Sequence, residues 1–299
     1  MPRGASITAS AVCLFRALEH ARGAARRIDD PFAVLFLQPA LAALARFPGA
    51  GKALMQGRHF GLGAGALARY VVARHRTLDR AMLDFVAAGG RQVVILGAGL
   101  DARAWRFADA LGGVAVWEVD FPATQGLKRT LLARAGLPEA PRFVAVDFEH
   151  TPLAAGLLAA GFDASRPTCF LWEGVTMYLT PEAVADTLSA VAGLTPPAQP
   201  GTAPSRLVFD AWVPSSGSLR AVVRRGTSHL LGLIGEPFKF ALAPDEAPRM
   251  LARAGWRVRA LHDRASLASG LGLPSAAIYP DVCVVDAERA PAPEPKESP

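Results

Sequence analysis

Cysteine is scarce in this chain of 299 residues: Cys13, Cys169 and Cys283 lie far apart, and no CxxC pair occurs. That spacing supports neither a zinc site nor a disulfide framework, and it predicts a reducing compartment. Lysine is also sparse. Lys52, Lys128, Lys239 and Lys296 are the only lysines among 32 basic residues. The formal charge of +6 permits an anionic partner. No run of five like charges occurs, and basic and aromatic residues are not interleaved. The arginines therefore read as a solvated surface, and nucleic acid is not an expected partner. Long apolar runs are missing as well. The most apolar early stretch, Phe32 to Phe47, is broken by Gln38, Pro39 and Arg46. It falls short of the roughly 20 apolar residues that a membrane span requires. The opening MPRGASITAS lacks the regions of a secretory signal. A cytoplasmic chain without a membrane partner is expected.

What is present is a large apolar fraction, 51%, with 19% charged residues, which is the composition of a folded chain with a sizeable core. Residues 1–88 read as a helical cap region that would cover the site's edge, with apolar residues at three- and four-residue spacing such as Leu78, Met82 and Phe85. Asp29, Asp30 and Pro31 look like a helix start, and 57–65 reads as a glycine-rich loop. From residue 91 the texture changes. Short apolar runs predict strands at 92–96, 114–119, 143–146, 168–172 and 207–209, with helices at 100–111, 122–134, 152–160 and from 181 between them. A further helix at 244–254 and strands at 256–261 and 282–285 complete the pattern. Strands alternating with helices predict a doubly wound α/β fold with a mostly parallel sheet. Residues 89–286 are assigned to that domain, with 213–243 as a cap over one edge and 287–299 as a disordered, solvated tail.

The first predicted strand ends in Gly97-Ala98-Gly99. The next four are followed by Asp120, Asp147, Glu173 and Asp210. Ligands of open α/β sheets bind beyond the carboxyl ends of the strands. A glycine turn lets a ligand approach the backbone, and an acid ending the next strand can accept from vicinal ribose hydroxyls. Gly97, Gly99 and Asp120 thus point to an adenosine-type cofactor. A nicotinamide dinucleotide is one reading, since residues 97–102 fit a relaxed GxGxxA fingerprint with Asp120 about 20 residues on. Asp101, in the first turn after the glycines, would repel a pyrophosphate and suits an ammonium group. Asp147 could accept from an adenine amino group. A rim of carboxylates favours a positively charged sulfonium ligand. Asp210 reads as a structural acid, Trp105 and Trp172 as packing residues, and Tyr178 as a cleft residue. His59, His75 and His229 lie in segments that could cover the site.

The stretches VVILGAGLDARAWRF (93–107), WEVDFPATQGLKR (117–129) and WEGVTMYLTPE (172–182) stand in order at fitting spacing. On them the chain resembles the leucine carboxyl methyltransferase group of S-adenosylmethionine-dependent methyltransferases, from about residue 9 to 286. The bacterial polyketide and natural-product O-methyltransferase branch is included in that resemblance. It implies a Rossmann-like class I methyltransferase fold with seven strands, one antiparallel near the end. It implies S-adenosyl-L-methionine as cofactor and methyl transfer to an oxygen of a small-molecule acceptor, a carboxylate or a phenolic or other hydroxyl group. By the same resemblance Gly97 and Gly99 lie beside the methionyl part, Asp120 binds ribose, and Asp147 and Phe148 form the adenine pocket. Glu173 lies near the methionyl group, Arg74 grips its carboxylate, and Arg16 is a further basic contact. No catalytic base and no metal ligand is identified.

Overall fold

The computed structural model describes residues 6–47, 49, 53, 64–214 and 238–292. In chain order the helices are α1 (Ile7–His20), α2 (Pro39–Arg46), α3 (Ala64–Ala87), α4 (Arg103–Arg106), α5 (Pro122–Ala135), α6 (Leu153–Ala159), α7 (Pro181–Gly193), α8 (Ala247–Arg253) and α9 (Arg264–Ser269). The strands are β1 (Gln92–Leu96), β2 (Ala115–Asp120), β3 (Arg142–Ala145), β4 (Cys169–Trp172), β5 (Arg206–Trp212), β6 (Trp256–His262) and β7 (Val282–Arg289).

These strands form one seven-stranded sheet in the order β3-β2-β1-β4-β5-β7-β6. The five strands from β3 to β5 run parallel, and β7 lies antiparallel to both its neighbours. The fold is that expected from the sequence. β1 and β4 are buried along their whole length, which is why they appear as unbroken apolar runs. Successive side chains point to opposite faces. Val93, Ile95, Cys169 and Leu171 join one core with residues of α1, α2 and α3. Val94, Leu96, Phe170 and Trp172 join the other with α6, α7 and α8. Trp172 is fully buried and Trp105 nearly so, in agreement with their reading as packing residues.

The sheet order reverses between β1 and β4. Strand β1 continues to β2 on one side, and the chain returns to add β4 on the other. Such a switch point leaves a crevice at the carboxyl ends of the two strands.

Several sequence expectations are corrected. The helix expected over 100–111 is only the four-residue α4, and turns follow it. The Asp29-Asp30-Pro31 start leads into a short 3-10 turn, Ala33–Phe36, with Asp30 Oδ1 accepting from Ala33 N at 3.0 Å. Strand β5 runs two residues past Asp210. Strand β7 runs through residues 287–289, which the sequence placed in a disordered tail, because they pair with β5 and β6. Most of the predicted 57–65 loop, the central part of the 213–243 cap, His59 and His229 lie outside the described residues.

Candidate functional site

A cavity of about 310 Å³ opens at the β1/β4 switch point. Its walls come from the turn after β1, the ends of β2 and β4, the segment after β3, and helices α1 and α3. The turn after β1 needs glycine. Gly97 and Gly99 have φ of 64° and 51°, a region costly for residues with a Cβ. A Cβ on Gly97 would also lie 2.2 Å from Val175 Cγ2.

Of the residues singled out from the sequence, Arg16, Arg74, Gly97, Gly99, Asp101, Asp120, Phe148 and Glu173 line this cavity, as does Tyr178. Asp147 does not. Its carboxylate turns away to accept from Glu149 N and to pair with His150 Nδ1, each at 3.0 Å. The carboxylate of Asp120 is held by two backbone amides, those of Gly99 and of Phe121, the latter at 2.6 Å. Burial pushes this carboxyl up to about 6, against the opposing pull of those amides.

The carboxylates of the rim are paired with arginines, Arg103 among them, which the sequence reading does not single out. Arg74 donates from Nε to Glu173 Oε1 at 3.0 Å and from Nη1 to Asp210 Oδ2 at 2.9 Å. Asp210 also accepts from Tyr70 Oη at 2.8 Å and from Gly174 N at 2.5 Å. It is therefore a structural acid at the root of the site. Asp101 is engaged by Arg103, through both the backbone N–H at 2.7 Å and Nη1. Arg103 further donates to Glu173 Oε2 at 2.7 Å and to Asp79 Oδ1 at 2.6 Å. Burial alone would raise the Glu173 carboxyl, but His75, Arg103 and Arg74 outweigh it and hold it well below the usual range.

His75 completes this network. Its Nε2 lies 2.7 Å from Arg106 Nη1, which can only donate. Its Nδ1 lies 3.0 Å from Glu173 Oε2 and 2.9 Å from Arg103 Nη2. Burial, with Arg103 beside it, pushes the imidazole pKa down. Nδ1 of His75 and oxygens of Asp101 and Glu173 lie within 4.8 Å of one another, a spacing compatible with a metal. The Arg103 guanidinium already serves those donors as their cation, so the set does not fit a divalent ion.

Sequence reasoning missed Arg103, Asp79 and Tyr70; it expected an N-terminal helical cap but did not single out Ser6, Thr8, Ala9 and Val12, which line the cavity from α1 and its N-cap. The one local signal was the double arginine of DARAWR, which reads as a surface feature until the acids opposite it are known.

The donor set fits a nucleoside carrying an amino-acid tail. Asp120 faces the cavity with acceptor capacity to spare. Arg16, which also lines it, has a buried Nε with no hydrogen-bond partner, a donor for an anionic group. A dinucleotide fits poorly. The first amide of α4, which a pyrophosphate would use, is capped by Asp101.

The sequence profile of the leucine carboxyl methyltransferase family matches residues 9–192. This chain belongs to that family. A Mycolicibacterium paratuberculosis protein is 36% identical over 264 residues, covering 81% of this chain and 82% of its own. A Saccharopolyspora erythraea protein is 33% identical over 262 residues, covering 85% and 84%. Another M. paratuberculosis protein is 37% identical over 218 residues, and the match spans 69% of this chain but only 66% of that protein. All three carry the name "Putative S-adenosyl-L-methionine-dependent methyltransferase". Among solved structures, a DUF574 family protein from Streptomyces avermitilis superposes with a TM-score of 0.58 at 17% identity, covering 92% of this chain and 96% of its own. A Thermobifida fusca protein named "putative methyltransferase" gives 0.54 at 17% identity, covering 87% and 93%. These two likenesses concern the fold alone.

Proposed function

We propose that this member of the leucine carboxyl methyltransferase family is an S-adenosyl-L-methionine-dependent methyltransferase that methylates an oxygen of a small acceptor. The acceptor is a carboxylate or a phenolic or hydroxyl group, of the kind found on natural-product intermediates. The observation that carries the reading is one cavity, at the β1/β4 switch point, lined together by Gly97, Gly99, Asp120, Phe148, Arg16, Arg74 and Glu173. Asp120 would accept from the ribose hydroxyls, and Phe148 would lie beside the adenine. Arg74 and Arg16 would hold the carboxylate of the methionyl tail, near Glu173. Bound there, the cofactor supplies an electrophilic methyl group on a positively charged sulfur.

The chain's own part is to bind, orient and exclude water. Helix α1 lies over the cavity, with the Ser6 amide donating to Thr124 Oγ1 at 3.2 Å to fix its start. Holding two reactants in line in a closed site supplies most of what a displacement at carbon requires. His75, which lines the cavity, has both nitrogens engaged, Nδ1 by Glu173 and Arg103 and Nε2 by Arg106. That favours an acceptor that is already anionic and needs no proton removed. Cys13, Cys169 and Cys283 are buried free thiols, in keeping with a reducing, cytoplasmic setting, and none of the described helices is long and apolar enough to cross a membrane.

The test is a melting curve with S-adenosylhomocysteine and, separately, with NADH. A ligand at a hundred times its Kd adds about 2.7 kcal/mol. The homocysteine nucleoside is expected to raise Tm and NADH to leave it unchanged; the reverse result removes the reading. Mass spectrometry of candidate acids and phenols incubated with enzyme and cofactor then identifies the methylated atom. A product methylated on nitrogen or carbon overturns the assignment to oxygen.

A further inference from the structure

We infer that Arg103 is a positioning residue for the cofactor: it never reaches the cavity, and it sets the placement and charge of the acids that do. The inference rests on the function proposed above and concerns how its binding site is held.

Arg103 is fully buried, and it is absent from the cavity wall, whereas its partners Asp101, His75 and Glu173 line it. Its guanidinium engages four residues on three separate segments. Nε donates to Asp79 Oδ1 at 2.6 Å, and Nη2 donates to the His75 carbonyl at 3.3 Å and lies 2.9 Å from His75 Nδ1, both residues on α3. Nη1 donates to Asp101, in the turn after β1. Nη2 also donates to Glu173 Oε2 at 2.7 Å, in the loop after β4. The last two segments are the two sides of the switch point. One planar fork therefore fixes their separation and ties both to α3. A lysine carries the same charge without the fork and cannot satisfy partners in three directions.

Asp79 makes the argument sharper. It does not line the cavity. It lies on the far side of the guanidinium and grips Arg103 with Oδ1 and Arg106 with Oδ2, the latter at 2.9 Å. His75, Arg103 and Arg106 overcome its burial and hold its carboxyl down to about 2. Asp79 can influence a ligand only through Arg103, Arg106 and His75.

The charged and titratable groups facing Glu173 come from every neighbouring element. Arg74 and His75 stand on α3, Arg103 on α4, Arg16 on α1 and Asp101 in the turn after β1. Asp210, on β5, reaches it through Arg74. With the Arg103 fork removed, Glu173 keeps Arg74 and His75 but loses a strong hydrogen-bonded cation. Its carboxyl then moves back up toward the ordinary range.

The experiment is calorimetric titration of S-adenosylhomocysteine into the parent, Arg103→Lys and Asp79→Asn proteins, from about pH 5 to pH 8. Arg103→Lys is expected to weaken binding at least about tenfold at neutral pH, the loss of one or more charged hydrogen bonds. Its affinity is expected to fall further at the acid end of this range, where a Glu173 carboxyl released toward its ordinary value of 4.5 begins to take up a proton. Asp79→Asn is expected to weaken binding several-fold while the protein still melts cooperatively. If Arg103→Lys fails to fold, Asp79→Asn decides. Variants that fold, lose melting temperature and bind with parental affinity and pH profile would overturn the inference, because Arg103 would then be mere ballast of the core. Failure of the parent itself to bind the nucleoside is a different outcome: it sinks the proposed function, and the inference with it.

Discussion

The protonation of one carboxyl, Asp120, decides how firmly the ribose end of a cofactor is held. Burial pushes this group up to about 6, although the Gly99 and Phe121 amides pull the other way. Its ordinary value is 3.8, so the folded chain holds this proton more tightly than the unfolded one. Ribose hydroxyls donate, and only the ionised carboxylate accepts from two of them while keeping both amides. The competent fraction is then about one half at pH 6 and about one tenth at pH 5. Apparent Kd scales inversely with that fraction. S-adenosylhomocysteine should therefore bind about twice as weakly at pH 6 as at pH 8, and about tenfold more weakly at pH 5. Binding draws Asp120 to its charged form, so a proton is released in the acid part of this range. Calorimetry in buffers of different ionisation enthalpy reads that release directly. Asp120→Asn supplies the control. One amide oxygen cannot serve both backbone N–H groups and a ribose, so affinity should drop at least about tenfold at neutral pH. Its dependence on pH below about 7 should vanish. An affinity that stays flat from about pH 5 to pH 7 in the folded parent, or a slope that survives in Asp120→Asn, would refute the reasoning.

Three further outcomes follow from the geometry. Gly97→Ala combines a φ of 64° with a Cβ set 2.2 Å from Val175 Cγ2, so denaturant titration should record a loss of about 2–4 kcal/mol, and Val175→Ala should restore only part of it because the backbone strain remains. Lys128 and Glu118 form a buried pair with side chains 1% exposed, so Lys128→Met should cost about 3–5 kcal/mol and the double variant with Glu118→Gln should recover most of it. Burial also pushes Glu118 from 4.5 up to about 7, so the folded chain holds that proton more tightly; stability should fall as pH rises through this interval and Glu118→Gln should flatten the fall. Tyr70→Phe removes the 2.8 Å bond to Asp210 and should lower stability by about 1.5–3 kcal/mol, while Arg74 and Gly174 continue to hold the acid.

The sheet was legible because its central strands are buried on both faces and read as continuous apolar runs between glycine and acidic ends. The glycine turn and Asp120 were legible for the same reason, being tied to the end of a recognisable strand. The arginine network was not. Arg103 meets one acid 24 residues before it and another 70 residues after it, and no local pattern pairs residues at those separations. Asp210 misled in a related way. An aspartate disfavours a strand interior and so looked like a strand end, yet Tyr70, Arg74 and Gly174 N satisfy it within β5. The end of β7 was lost because Glu288 looks solvated in sequence. In the fold it pairs with Arg257 at 2.7 Å across to β6.

These partners also change the physical account of what the cleft selects. A rim of unpaired carboxylates would attract any cation. Here Asp101, Glu173 and Asp210 each spend their charge on a guanidinium. A buried ion pair is a poor source of stability, since apolar side chains of similar volume can do as well. What the network supplies is fixed orientation, with Asp79, Asp101 and Glu173 held ionised and each arginine held in place. Asp120 is the exception among the lining acids, held by backbone amides. It keeps lone pairs for neutral hydroxyl donors, and burial raises its pKa. Selectivity then divides between two devices: Asp120 reads the sugar, and the paired acids and arginines keep the amino-acid end at one distance from it. Shifting the network should therefore weaken the whole nucleoside amino acid while leaving the far weaker binding of adenosine alone nearly unchanged, and titrating both ligands against Arg103→Lys separates a positioning defect from a general loosening of the cleft.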